Sequence, residues 1–412
     1  MSAPTPHILF LTPQVPYPPE QGTTLRNYNI LRLASRHARV SLLCLGAPAS
    51  GLAPELTNLC QQVLVVPEPP ARSKWQRLLT LAASKRADVA QRLYTADMQE
   101  RLNSLLCSGN YDALQVEGIE LAGYVLGLPA EIQVPIIFDD QNAEFQLQAR
   151  AAQVAWRQER NLAKALYSAV QSHRLRKLEH VVCTRADVVT VCSQEDAATL
   201  QRLDSSIRTV VLPNGIDTHL ITPGSTPAPL QHPAVVFTGK MDYRPNLDGI
   251  SWFSSEIWPL VRQVLPEAQL YIVGQRPLPE VQALHGQAGI TVTGRVPEVL
   301  PYLAAADCII APLRIGGGTR LKLLEAMAAG KPIVATALAA EGLHAESGAH
   351  LLLAEEPAAF AQAILAILND RTLAESLGSQ ARAFVSQHYE WDRLEPHLLE
   401  VYTQIPNLIM RA

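Results

Sequence analysis

The sequence predicts an α/β protein built from two doubly wound, parallel-sheet, Rossmann-like domains. Three observations carry this. Short apolar runs alternate with amphipathic helical stretches from the first residues onward. The alternation breaks once, near residue 215, and then restarts. A chain of 412 residues is too long for one ordinary core and suits two domains of about 200 residues each.

HILFLTP (7–13) is an apolar run closed by turn residues and reads as the first strand. A Pro-rich loop follows, QVPYPPEQGTT (14–24). In LRNYNILRLASRH (25–37) the apolar Leu25, Tyr28, Leu31 and Leu33 fall at helical spacing with basic residues between them. ARVSLLCL (38–45) is a second buried strand, which completes a βαβ unit and implies a parallel sheet. YDALQVEG (111–118), VPIIFDD (134–140) and DVVTVCS (187–193) continue the series. The most apolar long window, LAGYVLGLPAEIQVPIIF (121–138), holds Glu131 and two prolines and reads as helix, turn and buried strand, not as a membrane span.

TVVLPNGIDTHLITP (209–223) breaks the pattern with a strand, Asn-Gly and a loop ended by Pro223, which STPAPLQHP (225–233) prolongs. The alternation then restarts. AVVFTGK (234–240) is a strand, and NLDGISWFSSEIWPLVRQ (246–263) is a single helix capped by Asn246. QLYIVG (269–274), GITVTG (289–294), DCIIAPL (307–313) and KPIVAT (331–336) are strands, and RLEPHLLEVYTQIP (393–406) is a final amphipathic helix. The expected division is 1–214, 215–387 and a helical tail, 388–412, that packs back on the first domain.

Composition is that of a soluble globular protein, with 48% hydrophobic and 17% charged residues. Residues 1–215 hold 21 basic against 19 acidic side chains and residues 216–412 hold 13 against 19, which gives nucleic-acid binding no support. The six cysteines form no CxxC pair and lie mostly in apolar contexts, so buried free thiols are expected. The N-terminus lacks the form of a signal peptide. A cytoplasmic protein, peripheral on the inner face of the membrane if membrane-bound at all, is the default expectation.

PLRIGGGTRLKLLEAMAAGKPIVAT (312–336) places three glycines between a strand and a helix. Gly316, Gly317 and Gly318 leave no side chain between backbone and ligand, and the first turn of the helix carries unpaired N–H groups and the positive end of its dipole. Arg320 and Lys322 add formal charge. Either a diphosphate rests here, or this is a flexible turn with solvated basic residues. Glu325, within two turns of the helix start and flanked by apolar residues, suits the vicinal hydroxyls of a ribose attached to that diphosphate.

The segment resembles the donor-site signature of retaining GT-B glycosyltransferases of the family-4 type, in a branch with a GGGTRxKxLEAMA pattern. VLPNGID, TGKMDYRPN, YIVG and VTGRVPEVLPYLAAADCIIAPL fall in that family's order, so the resemblance covers essentially all of the second half. In the first half it rests on LTPQVPYPPEQGTTLRNYNILRLAS and on FDDQNAE followed by a basic helix. The resemblance implies that Glu325 binds the nucleotide ribose and that the backbone of Gly318, Thr319 and Arg320 holds the diphosphate. Lys240 would neutralise the phosphates. Gly317 stands where the family commonly has a glutamate by the donor sugar. Asn246 replaces a second lysine, leaving Arg244 or Lys322 to supply that charge. Arg295 and Val296 fall where relatives meet the base. Gly22 resembles a loop that closes over the donor. Gln141, Asn142 and Glu144 would face the acceptor. Many relatives have a histidine in place of Gln141, and a glutamine cannot act as a base, so any acid–base work passes to Asp139 or Asp140. The same two aspartates suit a helix N-cap at a strand end equally well.

The implied reaction is hexosyl transfer from a nucleotide-diphosphate sugar to a glycan or lipid-linked acceptor, with retention of configuration, in a setting such as polysaccharide biosynthesis. Lys240, Arg320 and the turn amides would stabilise the leaving diphosphate. No DxD-type acidic pair stands near the site, so no metal and no cofactor are expected. Residues 150–180 carry Arg150, Arg157, Arg160, Lys164, Arg174, Arg176 and Lys177 against Glu159 and Glu179, with Trp156, Leu162, Leu166 and Tyr167 interleaved. This is either an interfacial helix on anionic lipid or a solvated helical face. A GT-B nucleotide-sugar epimerase and a non-catalytic nucleotide-sugar-binding protein are the alternatives. A nicotinamide-dependent dehydrogenase fits less well, because the first strand leads into a Pro-rich loop and not a GxGxxG turn.

Overall fold

A computed structural model describes residues 5–47, 52–70, 72–73, 84, 87–157, 160–221 and 226–405. Glu159 of the basic stretch, Pro223 of the linker and the tail beyond 405 lie outside the described residues. The chain forms two compact units, Met1–Pro213 with Leu394–Ala412, and Asn214–Arg393.

The first unit is a seven-stranded sheet of β1 (His7–Thr12), β2 (Arg39–Leu45), β3 (Gln62–Val66), β4 (Ala113–Glu117), β5 (Ile136–Asp139), β6 (Val188–Val191) and β7 (Thr209–Val211), in the order β3-β2-β1-β4-β5-β6-β7. Every pairing is parallel; Phe10 stands opposite both Leu42 and Gln115. Strands covered on both faces need continuous apolar runs, and β1 is buried at each of its six positions. Helix α1 (Gly22–Ala34) crosses from β1 to β2 and begins at a Gln21–Thr24 capping box. The sequence did not announce β3, whose strand is half-buried and short.

The basic stretch is two helices and not one. Helix α2 (Glu144–Arg157) and helix α3 (Leu162–Arg185) pack closely against each other. Arg160 takes a left-handed φ of 52° between them, and the Asn161 side chain caps α3 by accepting from the Lys164 N–H at 3.0 Å. The C-terminal helix Glu395–Thr403 packs on α1 and β7. It is tied down by Glu395, which pairs with Arg36 and His37, and by Tyr402, whose hydroxyl donates to Gln115 Oε1 at 3.0 Å.

The second unit is a six-stranded parallel sheet of β8 (Ala234–Thr238), β9 (Gln269–Val273), β10 (Ile290–Gly294), β11 (Cys308–Ala311), β12 (Ile333–Ala335) and β13 (Leu352–Leu353), ordered β10-β9-β8-β11-β12-β13. The helix expected over 246–263 differs in two ways. Helix α4 (Arg244–Trp252) starts earlier, with Tyr243 as N-cap and Pro245 in its first turn, so Asn246 lies inside the helix and is no cap. After α4 the chain takes a π-type turn, Phe253–Ile257, before Trp258–Val264, because Pro259 has no N–H to offer the α-helical ladder.

No disulfide is formed: Cys44, Cys60, Cys183, Cys192 and Cys308 are buried free thiols, while Cys107 is exposed. Among the described residues no helix is long and apolar enough to cross a membrane.

Candidate functional site

In doubly wound sheets, ligands bind beyond the carboxyl ends of the strands where the strand order reverses. In the second unit that point lies between β8 and β11. Strand β8 runs out into Gly239–Lys240 and β11 into Pro312–Gly318, so the lysine and the glycine loop singled out from the sequence both leave the sheet there. Two glycines shape these turns. Gly274, at the end of β9, has φ +156°, and a Cβ there would lie 1.7 Å from the Gly239 carbonyl oxygen. The β8 and β9 ends therefore meet backbone to backbone. Gly316 has φ +158°, and a Cβ there would fall 1.7 Å from an Arg320 terminal nitrogen, so its bare backbone lets that guanidinium lie across the loop.

Helix α5 (Leu321–Ala328) starts directly after this loop, with Arg320 as N-cap and no side chain capping the first turn. Gly317, Gly318 and Thr319 are buried. The Thr319 carbonyl accepts from Asn214 Nδ2 at 3.1 Å, anchoring the turn to the start of the unit. The helix dipole and the first-turn amides thus converge beside β8 and β11.

Two polar side chains and a backbone carbonyl meet beside the turn. Lys322 Nζ donates to Asn246 Oδ1 at 2.7 Å and sits 4.3 Å from the centre of the Phe237 ring. Asn246 Nδ2 donates to the Lys240 carbonyl at 2.9 Å. Burial, and then the Arg320 charge, pull the Lys322 ammonium down to about 7, against the opposing effect of Glu325. Burial pushes Glu325 up to about 7, against the opposing effect of Lys322. Lys240 itself is solvent-facing, 3.8 Å from Asp242. Arg244 is the first residue of α4, Arg295 is exposed just beyond β10, and Val296 beside it is half-buried.

Sequence reasoning missed Arg314 and Asp248, which brace the glycine loop. Arg314 donates from NH2 to Asp248 Oδ1 at 2.7 Å and from Nε to Oδ2 at 3.1 Å, and it stacks 5.1 Å from the Trp252 ring centre. The arginine stands in the quoted segment, but its partner is 66 residues away and nothing local points to it.

The remaining candidates belong to the first unit. Gly22 is exposed at the start of α1, while Gln141, Asn142 and Glu144 follow β5 and are half-buried. The acid–base role expected of Asp139 or Asp140 does not suit their surroundings. Asp139 has no exposed surface, and its oxygens accept from Arg26 NH2 at 2.8 Å, Arg26 Nε at 2.9 Å and the Thr190 hydroxyl at 2.6 Å. Burial alone would push its carboxyl up, but the Arg26 guanidinium outweighs this and holds it below the ordinary range. Arg26 also donates to the Pro213 carbonyl at 3.2 Å, so the pair locks α1, β5 and the chain after β7 together. Asp140 is buried as well, and burial, Glu144, Asp196 and Asp139 push its carboxyl far up. Glu117 and Glu179, neither noticed as buried acids in the sequence, are likewise pushed up, by burial first and by Asp139 and Asp140 respectively.

Residues 232–370, which hold all six strands of the second unit's sheet, match the family model described as glycosyl transferases group 1. Over that stretch the chain is similar to group 1 glycosyl transferases. A phosphatidyl-myo-inositol mannosyltransferase of Mycobacterium leprae is 30% identical over 209 residues, covering 48% of this chain and 54% of that protein. An uncharacterized 44.6 kDa protein in the cps region of Klebsiella pneumoniae is 26% identical over 164 residues, 38% of this chain and 42% of that protein. The chain thus spans about half the length of the curated relatives it matches. Among solved structures, sucrose-phosphate synthase of Thermosynechococcus elongatus superposes with a TM-score of 0.72 at 19% identity, covering 97% of this chain and 98% of that one. The Anabaena protein Alr3699/HepE, solved with UDP and glucose, gives a TM-score of 0.66 at 16% identity over 96% and 99%. The group 1 segment and its partner sheet therefore share the two-domain GT-B fold. The conserved architecture agrees with the two parallel sheets of seven and six strands.

Proposed function

We propose that the protein transfers a hexosyl group from a nucleotide-diphosphate sugar to a glycan or lipid-linked acceptor, with retention of configuration and without a metal. One observation carries this reading: Lys240, Lys322, Asn246, Glu325 and the Gly316–Arg320 turn converge on the switch point of the segment similar to group 1 glycosyl transferases. The diphosphate rests against the uncapped start of α5, with Lys240, Arg244, Lys322 and Arg320 around it. Glu325 takes the ribose hydroxyls, and the backbone at Arg295 and Val296 takes the base. As the glycosidic bond breaks, negative charge grows on the departing diphosphate, where preorganised amides and cations stabilise it. Its own phosphate oxygen can then receive the acceptor's proton, consistent with Asp139 being fully engaged by Arg26 and Thr190.

The acceptor side of the reading draws on the helical hairpin of the first unit. Trp156, Leu162 and Leu166 are 59%, 69% and 67% exposed, beside Arg157, Arg160 and Lys164. Apolar side chains this exposed, ringed by cations, fit an anionic membrane surface on the inner face, where a lipid-linked acceptor would lie.

Thermal-shift measurement against UDP-, GDP- and ADP-sugars tests the donor. A ligand present at about a hundred times its dissociation constant stabilises the protein by about 2.7 kcal/mol. No stabilisation by any of them would reject the assignment. Product analysis without acceptor separates transfer from epimerisation.

A further inference from the structure

Lys322 is an unusual lysine for a folded protein. Its ammonium is fixed on Asn246 Oδ1 at 2.7 Å, and the Phe237 ring covers another side at 4.3 Å. Gly239 leaves the space it fills, since a Cβ there would come within 3.1 Å of Nζ. No carboxylate among the described residues lies within ion-pairing distance of it, and Lys322 forms no salt bridge there. The charged groups that act on it are Arg320 and Glu325 on its own segment; the neighbouring elements carry Lys240 and Asp242 on the loop after β8, and Arg244 and Asp248 on α4. Asp248 is taken by Arg314 at 2.7 Å, and Asp242 lies 3.8 Å from Lys240 and 3.7 Å from Arg276. Glu325 is the one remaining acid, and burial has pushed it up to about 7.

We propose that nucleotide-diphosphate binding at this site is coupled to uptake of one proton by Lys322, which Asn246 aims at the diphosphate through its hydrogen bond to the Lys240 loop. The inference rests on the donor reading above and adds a proton to it. In the free protein, burial and Arg320 favour the neutral amine, with the group pulled down to about 7. An arriving diphosphate supplies the missing anion, so the amine takes a proton from solvent and becomes an ammonium paired with phosphate oxygen. The N–H bond formed is balanced by the loss of that proton from a hydronium ion or buffer acid in solution. Lys322 is then a cation made on demand, and donor affinity falls as pH rises above about 7, because the proton must be found at lower concentration.

Titration calorimetry of the full chain tests this. UDP, GDP and ADP are titrated at about pH 8 in buffers of different ionisation enthalpy, and the slope of apparent enthalpy against buffer enthalpy counts the protons. The expected result is uptake approaching one proton per nucleotide. Lys322→Met is expected to bind at least about tenfold more weakly, with no uptake, the loss of one charged contact. Lys322→Arg, which stays charged in the free protein, is expected to show no uptake with whatever nucleotide affinity it retains. Glu325→Gln should retain it. Wild-type binding without uptake, or equal uptake in the Met or Arg variant, overturns the inference and leaves the donor reading standing. Failure of all three nucleotides to bind the wild type overturns both. Far-UV circular dichroism confirms that each variant is folded, and the wild-type proton count decides the matter even if one is not.

Discussion

Replacing Glu325 with alanine removes the carboxylate proposed to accept from a ribose, and a charged hydrogen bond contributes about 1.5–3 kcal/mol, so nucleotide-sugar use should weaken about tenfold to over a hundredfold. Lys240→Ala should lower kcat more than it raises KM, since its charge matters most as the diphosphate leaves; unchanged steady-state kinetics in both variants would count against the site. Arg26 is expected to act on stability. Its guanidinium and the Asp139 carboxylate are both buried, so Arg26→Ala strands a charge and should cost about 3–5 kcal/mol in urea unfolding. Arg26→Met with Asp139→Leu should recover much of that loss. These single-residue roles were unevenly legible. Arg320 and Glu325 stand in a segment whose proposed chemistry is read from residue types and spacing, and Lys240 is singled out by the family resemblance. Arg26 looks like one more basic residue between apolar helical positions, and its partner lies 113 positions away. Asn246 reads as a cap because nothing local reveals that Lys322, 76 residues on, will seek its oxygen.

The hairpin of α2 and α3 shows the same limit for elements. The charges and the interleaved aromatics were visible, but the break at Arg160–Asn161 was not, because neither glycine nor proline marks it. The break matters, since it brings Trp156 and Leu162 to one tip. Leu166→Glu combined with Trp156→Ala should abolish flotation with anionic vesicles while leaving the melting temperature nearly unchanged, as exposed positions contribute little to folding. Wild-type protein that fails to float at low salt would remove the membrane from the proposal. The sequence reading ran one helix straight through Pro259, whereas the chain widens there into the π-type turn observed.

Across the whole molecule, strand-helix alternation was legible because parallel strands buried on both faces must be continuously apolar. Sheet order was not, since it depends on which edge each crossover returns to, and β3 and β13 are too short or too half-buried to stand out. The buried acids pushed upward give the molecule a pH dependence of definite sign. Glu179 has no exposed surface and is pushed well up by burial, Asp140 and Glu144. The folded form therefore binds more protons than the unfolded chain above the ordinary glutamate range, and stability falls as pH rises through that window. Each such group contributes a slope of up to about 1.4 kcal/mol per pH unit. Glu179→Gln should flatten the fall above the ordinary glutamate range, and unaltered pH dependence of chemical denaturation would refute it. The thiols divide just as sharply. Burial pushes Cys44, Cys60 and Cys192 up to about 12 and Cys183 and Cys308 upward too, whereas Cys107 ends a surface helix in contact with water. A maleimide dye should therefore mark the native chain at a single position, giving a fluorescent reporter on the first unit with no engineering of the remaining cysteines.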